Sequence, residues 1–206
     1  MSTVQIVGRS SSHFTRVVRI FALELEVQHT FQPVFDIASL DAATYAGNPA
    51  LKVPVLVDER GPLFGAENIC RELARRSGKE ALVVFRGDVS ERVVENAEEL
   101  LLHVMATIVS LIMVKMPGDA RPEPPKLSPS LEDSMRFLDA QWEAVLAALP
   151  GDRLLSFAEV GLFCALTHIP FRGVVAPGSW PRLEAFCDRF GERQSARSTG
   201  YRFDAA

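Results

Sequence analysis

The sequence predicts a chain in two parts. A small α/β unit with the order β-α-β-α-β-β-α spans residues 1–78, and an all-helical unit spans residues 89–206, with residues 79–88 as the linker. Three observations predict this. Short β-branched runs alternate with helical patterning up to Gly78. From Ser90 onward the apolar residues recur only at helical spacing. The segment boundaries carry Gly, Pro and Ser-x-x-Glu signals of helix and strand ends.

Taken in order, residues 4–7 are a β-branched run ended by Gly8. Phe14, Val17, Val18, Phe21 and Leu25 share one face at helical spacing, which predicts a helix over residues 14–25. Residues 29–35 read as a second strand and residues 38–45 as a short helix, broken by Gly47-Asn48-Pro49. Residues 55–57 and 62–64 flank the polar turn Asp58-Glu59-Arg60-Gly61 and predict a hairpin. Ile69, Cys70 and Leu73 form the apolar stripe of a helix that ends near Ser77-Gly78. In the second part, Ser90 is positioned to cap a long helix running to about Lys115. Residues 117–125, with four prolines, read as a connector. Ser128 before Pro129 opens a helix to Leu149, Ser156 with Glu159 is a capping box, and Pro181 opens a last clear helix through Phe190.

Composition narrows the function classes. With 206 residues, 48% hydrophobic and 23% charged, the chain can bury a real core. A net charge of −4 and the lack of any basic run argue against nucleic-acid binding. The longest apolar stretch, residues 100–116, is interrupted by His103, Thr107, Ser110 and Lys115, which argues against a membrane span, and the first residues lack the pattern of a secretory signal. Cys70, Cys164 and Cys187 are widely spaced in apolar helical patterns, which predicts buried reduced thiols in a cytoplasmic setting and no metal site.

Two regions carry chemistry. An X–Pro bond placed directly before a strand, as at Val53-Pro54, is a candidate for the cis form, which leaves the backbone N–H and C=O of Val53 unpaired by the sheet. Such an edge is a ready partner for a small peptide, and the helix that follows residue 65 can take a carboxylate at its N-terminus. Ser10, Ser11 and Ser12 lie between the first strand and the first helix, where a hydroxyl and the helix dipole favour a thiolate. Each serine is equally an N-cap candidate. One turn on, Arg16 is placed to hold a substrate carboxylate or to lie in a surface salt bridge. The two regions together point to a thiol-peptide site.

The whole pattern resembles the cytosolic glutathione transferase family. Five segments carry the resemblance in order. They are Ser12-His13-Phe14-Thr15-Arg16-Val17-Val18-Arg19, Lys52-Val53-Pro54-Val55-Leu56, residues 63–73 with Ile69-Cys70-Arg71, Ser156-Phe157-Ala158-Glu159, and Trp180-Pro181-Arg182-Leu183 through Arg193. The resemblance implies a thioredoxin-like N-terminal domain, an all-helical C-terminal domain, a homodimer, and cytoplasmic detoxification. It implies glutathione as co-substrate, no metal, and a small hydrophobic electrophile as acceptor. It places Ser12 at the glutathione sulfur, with Ser10, Ser11, His13 and Arg16 around it. Lys52 would approach the glycyl carboxylate, Val53 and Pro54 the cysteinyl backbone, and Ala66, Glu67 and Asn68 the γ-glutamyl group. Phe14, Leu102, Met105, Ala106 and Val109 would offer the acceptor an apolar surface between the domains.

The chain departs from the family where it matters for affinity. Gly65-Ala66 stands in place of the family's Glu-Ser pair, which removes a carboxylate and a hydroxyl. Losing partners of a charged group costs about 1.5–3 kcal/mol each. Glu67, one residue on, is the substitute for the lost carboxylate, or else a helix-dipole glutamate. His13 stands where relatives carry proline and reads as an exposed helix-start histidine or a donor near the thiol. A catalytic transferase and a non-catalytic binding module are therefore both compatible with these residues. A thioredoxin-like redox protein is disfavoured, because no cysteine lies near Ser12.

Overall fold

The computed structural model describes residues 3–115, 122–173 and 179–205. Part of the connector expected at residues 117–125 lies outside them. Two compact units are present, one built from residues 1–83 together with 193–206, the other from residues 84–192.

The first unit has the thioredoxin-like arrangement. Its sheet is ordered β2-β1-β3-β4, with β1 (Val4–Gly8), β2 (His29–Pro33), β3 (Val55–Asp58) and β4 (Gly61–Phe64). Helix α1 (His13–Glu24) connects the parallel pair β1 and β2, and α2 (Ala66–Ser77) follows the hairpin β3-β4. The β-branched run of β1 is buried along nearly its whole length, with Val4 and Ile6 at 0% exposure, as expected of a central strand. On α1, Val17, Val18, Ile20 and Phe21 are fully buried, and on α2 Ile69, Cys70 and Leu73 are. The stripes predicted from spacing therefore face the core. Gly78 closes α2 in the left-handed conformation, φ 70°, that favours glycine.

Three local expectations are corrected. Residues 38–45 form only a 3-10 turn, Ala42–Tyr45, capped by Asp41, so no full helix joins β2 to β3. Strand β2 ends at Pro33, which can donate no ladder hydrogen bond, rather than at Phe35. Residues 193–206, assigned by sequence to the helical part, pack with the first unit, where the short helix α7 (Gln194–Ser198) lies against α1.

The second unit is helical: α3 (Arg92–Val114), α4 (Leu127–Ala148), α5 (Phe157–Arg172) and α6 (Pro181–Gly191). Helix α3 has the length and apolar character of a membrane span, but half of its most apolar window is buried. Leu101, Val104, Met105, Ile108 and Leu111 belong to the core it shares with α4 and α5, the pattern of a buried core helix. Two caps differ from expectation. Glu91, not Ser90, is the N-cap of α3, and Lys126, not Ser128, that of α4, neither with a side-chain cap bond. Ser128 lies inside the first turn, its N–H donating to Glu123 Oε1 at 3.1 Å.

The start of α5 follows the sequence reading. Ser156 Oγ accepts from Glu159 N–H at 3.1 Å and donates to Glu159 Oε2 at 2.8 Å, while Arg153 holds the same carboxylate through Nε at 2.8 Å. At the start of α6, Pro181 is in place, and the free amides of Arg182 and Leu183 donate to Asp139 Oδ1 of α4 at 2.8 and 3.1 Å. All three cysteines are buried thiols.

Two expected outcomes follow. Ser156→Ala removes a buried cap and releases Glu159, and is expected to lower stability by about 1–2 kcal/mol in urea unfolding. In the first unit Glu72 is buried, which by itself raises its pKa, but hydrogen bonds from Arg75 and Arg76 overcome this and hold the carboxyl below its usual range. A depressed folded-state pKa stabilises the fold above the unfolded value of about 4.3 and loses that contribution as pH falls through the folded value. Unfolding free energy should therefore fall between pH 5 and pH 3, and Glu72→Gln should flatten that slope.

Candidate functional site

The sheet register assembles the site. Val7 pairs with Gln32 and Val55, and Val55 with Phe64, so one row crosses all four strands at one end of the sheet. Directly beyond this row the chain leaves β1 toward α1, enters β3 through Val53-Pro54, and leaves β4 toward α2. The two helix N-termini and the Val53 backbone are thereby placed at the same sheet end. Sequence spacing cannot show this, since the start of α1 is about 40 residues or more from the other two segments.

The first element is the turn Arg9–Ser10–Ser11–Ser12, closed by Ser12 N–H donating to Arg9 O at 3.1 Å. Ser12 is the N-cap of α1, its Oγ accepting from Thr15 N–H at 3.3 Å. A hydroxyl has two lone pairs and one proton. An Oγ that accepts from Thr15 keeps its O–H to donate elsewhere, so capping and thiol binding are compatible roles. Of the three serines Ser12 is the half-exposed one, while Ser10 is 2% and Ser11 5% exposed. Gly8 is required beneath the turn, because a Cβ there would stand 2.5 Å from Thr15 Cγ2. Thr15 Oγ1 in turn receives Arg9 N–H at 3.3 Å.

Several neighbours are placed differently from expectation. Among the described residues the buried Ser10 hydroxyl has no partner, and the Ser10 N–H donates to Asp204 Oδ2 at 2.8 Å. His13 is 1% exposed, its ring 4.4 Å from that of half-buried Phe14, so it is not a solvent-facing histidine. Arg16 is 6% exposed and turned to the C-terminal segment. It donates through Nη2 to Ala196 O at 3.1 Å and through Nε to Thr199 Oγ1 at 3.5 Å, and lies 4.4 Å from the Tyr201 ring centroid. A guanidinium so occupied is not poised for a substrate carboxylate.

The second element is the loop before β3. The Val53-Pro54 bond is cis, as the sequence predicts. Among the described residues, neither the N–H nor the C=O of Val53 has a hydrogen-bond partner. Pro54 is buried, Val53 half-buried and Lys52 exposed. Asn48, which sequence reading treated only as part of a breaker, organises this loop. It is 5% exposed, donates through Nδ2 to Lys52 O at 2.8 Å and accepts from Ala50 N–H at 3.0 Å. Its place between Gly47 and Pro49 was the available signal, since Asn side chains fold turns back on their own backbone.

The third element is the start of α2. Gly65 is the N-cap with φ 88°, a conformation suited to glycine, and supplies no side-chain cap. The amides of Ala66, Glu67 and Asn68 have no partner among the described residues. Asn68 Nδ2 donates back to Phe64 O at 3.1 Å. Glu67 is bound by Arg71 Nη2 at 2.9 Å, one turn along the same helix, so its carboxylate is already neutralised within α2.

Of the residues expected at an acceptor surface, Leu102, Ala106 and Val109 lie on one partly exposed stripe of α3 at i, i+4, i+7 spacing. Met105 is fully buried and packs at Gly161 of α5, so it belongs to the helical core. Clefts of about 250 Å³ at Arg86, Glu95 and Glu98 and about 150 Å³ at Asp58, Arg60 and Glu72 contain none of the expected residues. Among the described residues no cluster is arranged to hold a metal.

Arg71→Ala is expected to change stability by less than about 0.5 kcal/mol, as a half-exposed i, i+4 pair does. Urea unfolding checks this, and a larger loss would show that the pair is structural.

Residues 11–76 match the family described as glutathione S-transferase, N-terminal domain. No curated protein sequence matches the chain. Among solved structures, a glutathione S-transferase from Methylobacillus flagellatus KT with GSH bound is 20% identical, with a TM-score of 0.77 over 97% of this chain and 100% of that one. A glutathione transferase family member from Pseudomonas fluorescens Pf-5 with bound glutathione is 21% identical, with a TM-score of 0.77 over 97% and 100%. BphK, a bacterial GST solved as a ternary complex, is 21% identical, with a TM-score of 0.74 over 95% and 96%. At these identities the likeness is one of fold.

Proposed function

We propose, for a chain whose residues 11–76 belong to the glutathione S-transferase N-terminal domain family and whose fold is that of the glutathione transferases, that it binds glutathione and transfers its thiolate to a small apolar electrophile. The observation that carries the proposal is the grouping at one sheet end of the Ser12 hydroxyl, the unpaired Val53 backbone and the uncapped amides of α2. Each offers what one part of a γ-glutamyl tripeptide needs.

The Ser12 O–H donates to the sulfur, and the positive end of α1 favours the thiolate over the thiol. The N–H and C=O of Val53 pair with the cysteinyl backbone in the manner of an added strand. Lys52 meets the glycyl carboxylate, and the amides of Ala66, Glu67 and Asn68 receive the glutamyl carboxylate. The thiolate then forms a C–S bond to the electrophilic carbon as the leaving group departs with its electron pair. Thiolate formation at neutral pH and proximity supply the rate gain. A homodimer in the cytoplasm is the setting that the family implies.

A second reading is a binding module without transferase activity. It is favoured by Gly65-Ala66 in place of a Glu-Ser pair and by the pairing of Glu67 with Arg71, which leave the glutamyl ammonium without a free carboxylate on α2.

Calorimetric titration with glutathione, followed by conjugation of an aryl halide, separates the two. Binding in the millimolar range or tighter is expected, with Ser12→Ala lowering kcat/KM at least tenfold. Heat without turnover selects the binding module, and no heat at millimolar glutathione overturns both.

A further inference from the structure

Residues 193–205 run back along α1 and are attached to it at three levels. At the C-terminal end of α1, Glu24 receives Arg193 Nη1 at 2.8 Å and the Ser195 hydroxyl. Midway, Arg16 holds Ala196 O and lies over Tyr201. At the N-terminal end, the Ser10 N–H of the serine turn donates to Asp204. The order of the contacts, 24, 16 and 10 against 193, 196 and 204, makes this segment an antiparallel strap. It ends on the turn that presents Ser12.

Asp204 is the decisive contact of the strap. Its side chain is 9% exposed, and its second oxygen is 3.9 Å from Arg202 Nε. The bond to Ser10 N–H has a charged acceptor, which makes it roughly twice as strong as a neutral one. The turn already contains one buried hydroxyl, Ser10 Oγ, that has no partner among the described residues. Removing Asp204 would orphan a second polar group in the same turn, and a buried turn relieves two orphans by opening to water.

We propose that Asp204 is a positioning residue of the thiol site: by holding Ser10 N–H it fixes the Arg9–Ser12 turn and with it the direction of the Ser12 hydroxyl. The role in thiol binding rests on the glutathione reading above, whereas the clasp on the turn does not. Asp204 acts through the turn and need not touch the ligand.

The test compares Asp204→Ala with Asp204→Asn in the full chain, since asparagine keeps an acceptor oxygen. Three quantities are read: amide hydrogen exchange of the peptide covering residues 9–15 without ligand, the glutathione Kd, and the melting temperature. Asp204→Ala is expected to speed exchange in that peptide at least threefold and to weaken glutathione about tenfold, the usual consequence of losing one hydrogen bond to a charged group. Asp204→Asn is expected to recover most of both. Unchanged exchange in Asp204→Ala overturns the clasp. Equal losses in both variants with a shared drop in melting temperature overturn the positioning role and leave a structural strap. If the parent protein takes up no glutathione, the functional reading fails by that measurement and the thiol-site role of Asp204 falls with it, while the exchange data alone decide the clasp.

Discussion

The pairing of Val7 with Val55, and of Val55 with Phe64, governs where every candidate binding group stands. Side chains alternate across a strand, so Val55 and Leu56, both fully buried, pack on opposite faces, and a slip of one residue would exchange them between two differently packed layers. Burial therefore locks the register. The locked register in turn places the start of α1, the entry to β3 and the start of α2 beside one another. Apolar packing within the sheet sets the geometry of polar groups beyond its edge.

The same constraint explains why the site is rich in backbone donors and poor in side chains. At the sheet end the strands have finished and the helices have only begun, so N–H and C=O groups lack their regular partners. Protein groups satisfy some of them. Ser12 takes Thr15 N–H, Asn48 gathers Ala50 and Lys52, and Asp204 takes Ser10 N–H. Among the described residues, those of Val53 and of the first turn of α2 are left. A peptide ligand needs such leftover groups, and the polar side chains nearby chiefly keep the other orphans quiet.

Sequence reading recovered what local chemistry dictates. The apolar spacing on α1 and α2, the Ser156–Glu159 box, Pro181 at the start of α6 and the cis bond at Val53-Pro54 were all legible, because each is written within a few neighbouring residues. Contacts between distant residues were not legible. Asp139 capping α6 across 43 residues, Arg16 turned to Ala196, and Asp204 on Ser10 across 194 residues leave no mark in a short window. Arg16 shows the reason. An arginine one turn into a helix looks the same in sequence whether it waits for a ligand or is consumed by a chain segment that returns from the far end. The expected cap of α3, Ser90, misses the observed one, Glu91, by a single residue, because a local capping signal fixes a helix end only to within one or two positions.

The proposed glutamyl end is where fold and chemistry pull apart. The amides of Ala66, Glu67 and Asn68 are backbone groups, so they persist whatever residues occupy these positions, and they suit a carboxylate. An ammonium instead needs an acceptor side chain, and on α2 the candidate is Glu67, already neutralised by Arg71. A half-exposed pair of this kind is worth only a few tenths of a kcal/mol, whereas a hydrogen bond to a charged group is typically worth about 1.5–3 kcal/mol. The pair is therefore weak enough for a ligand to displace. On the proposed glutathione reading, a glutamyl group does not require that Glu67 be free beforehand, only that the gain on binding exceed that small loss.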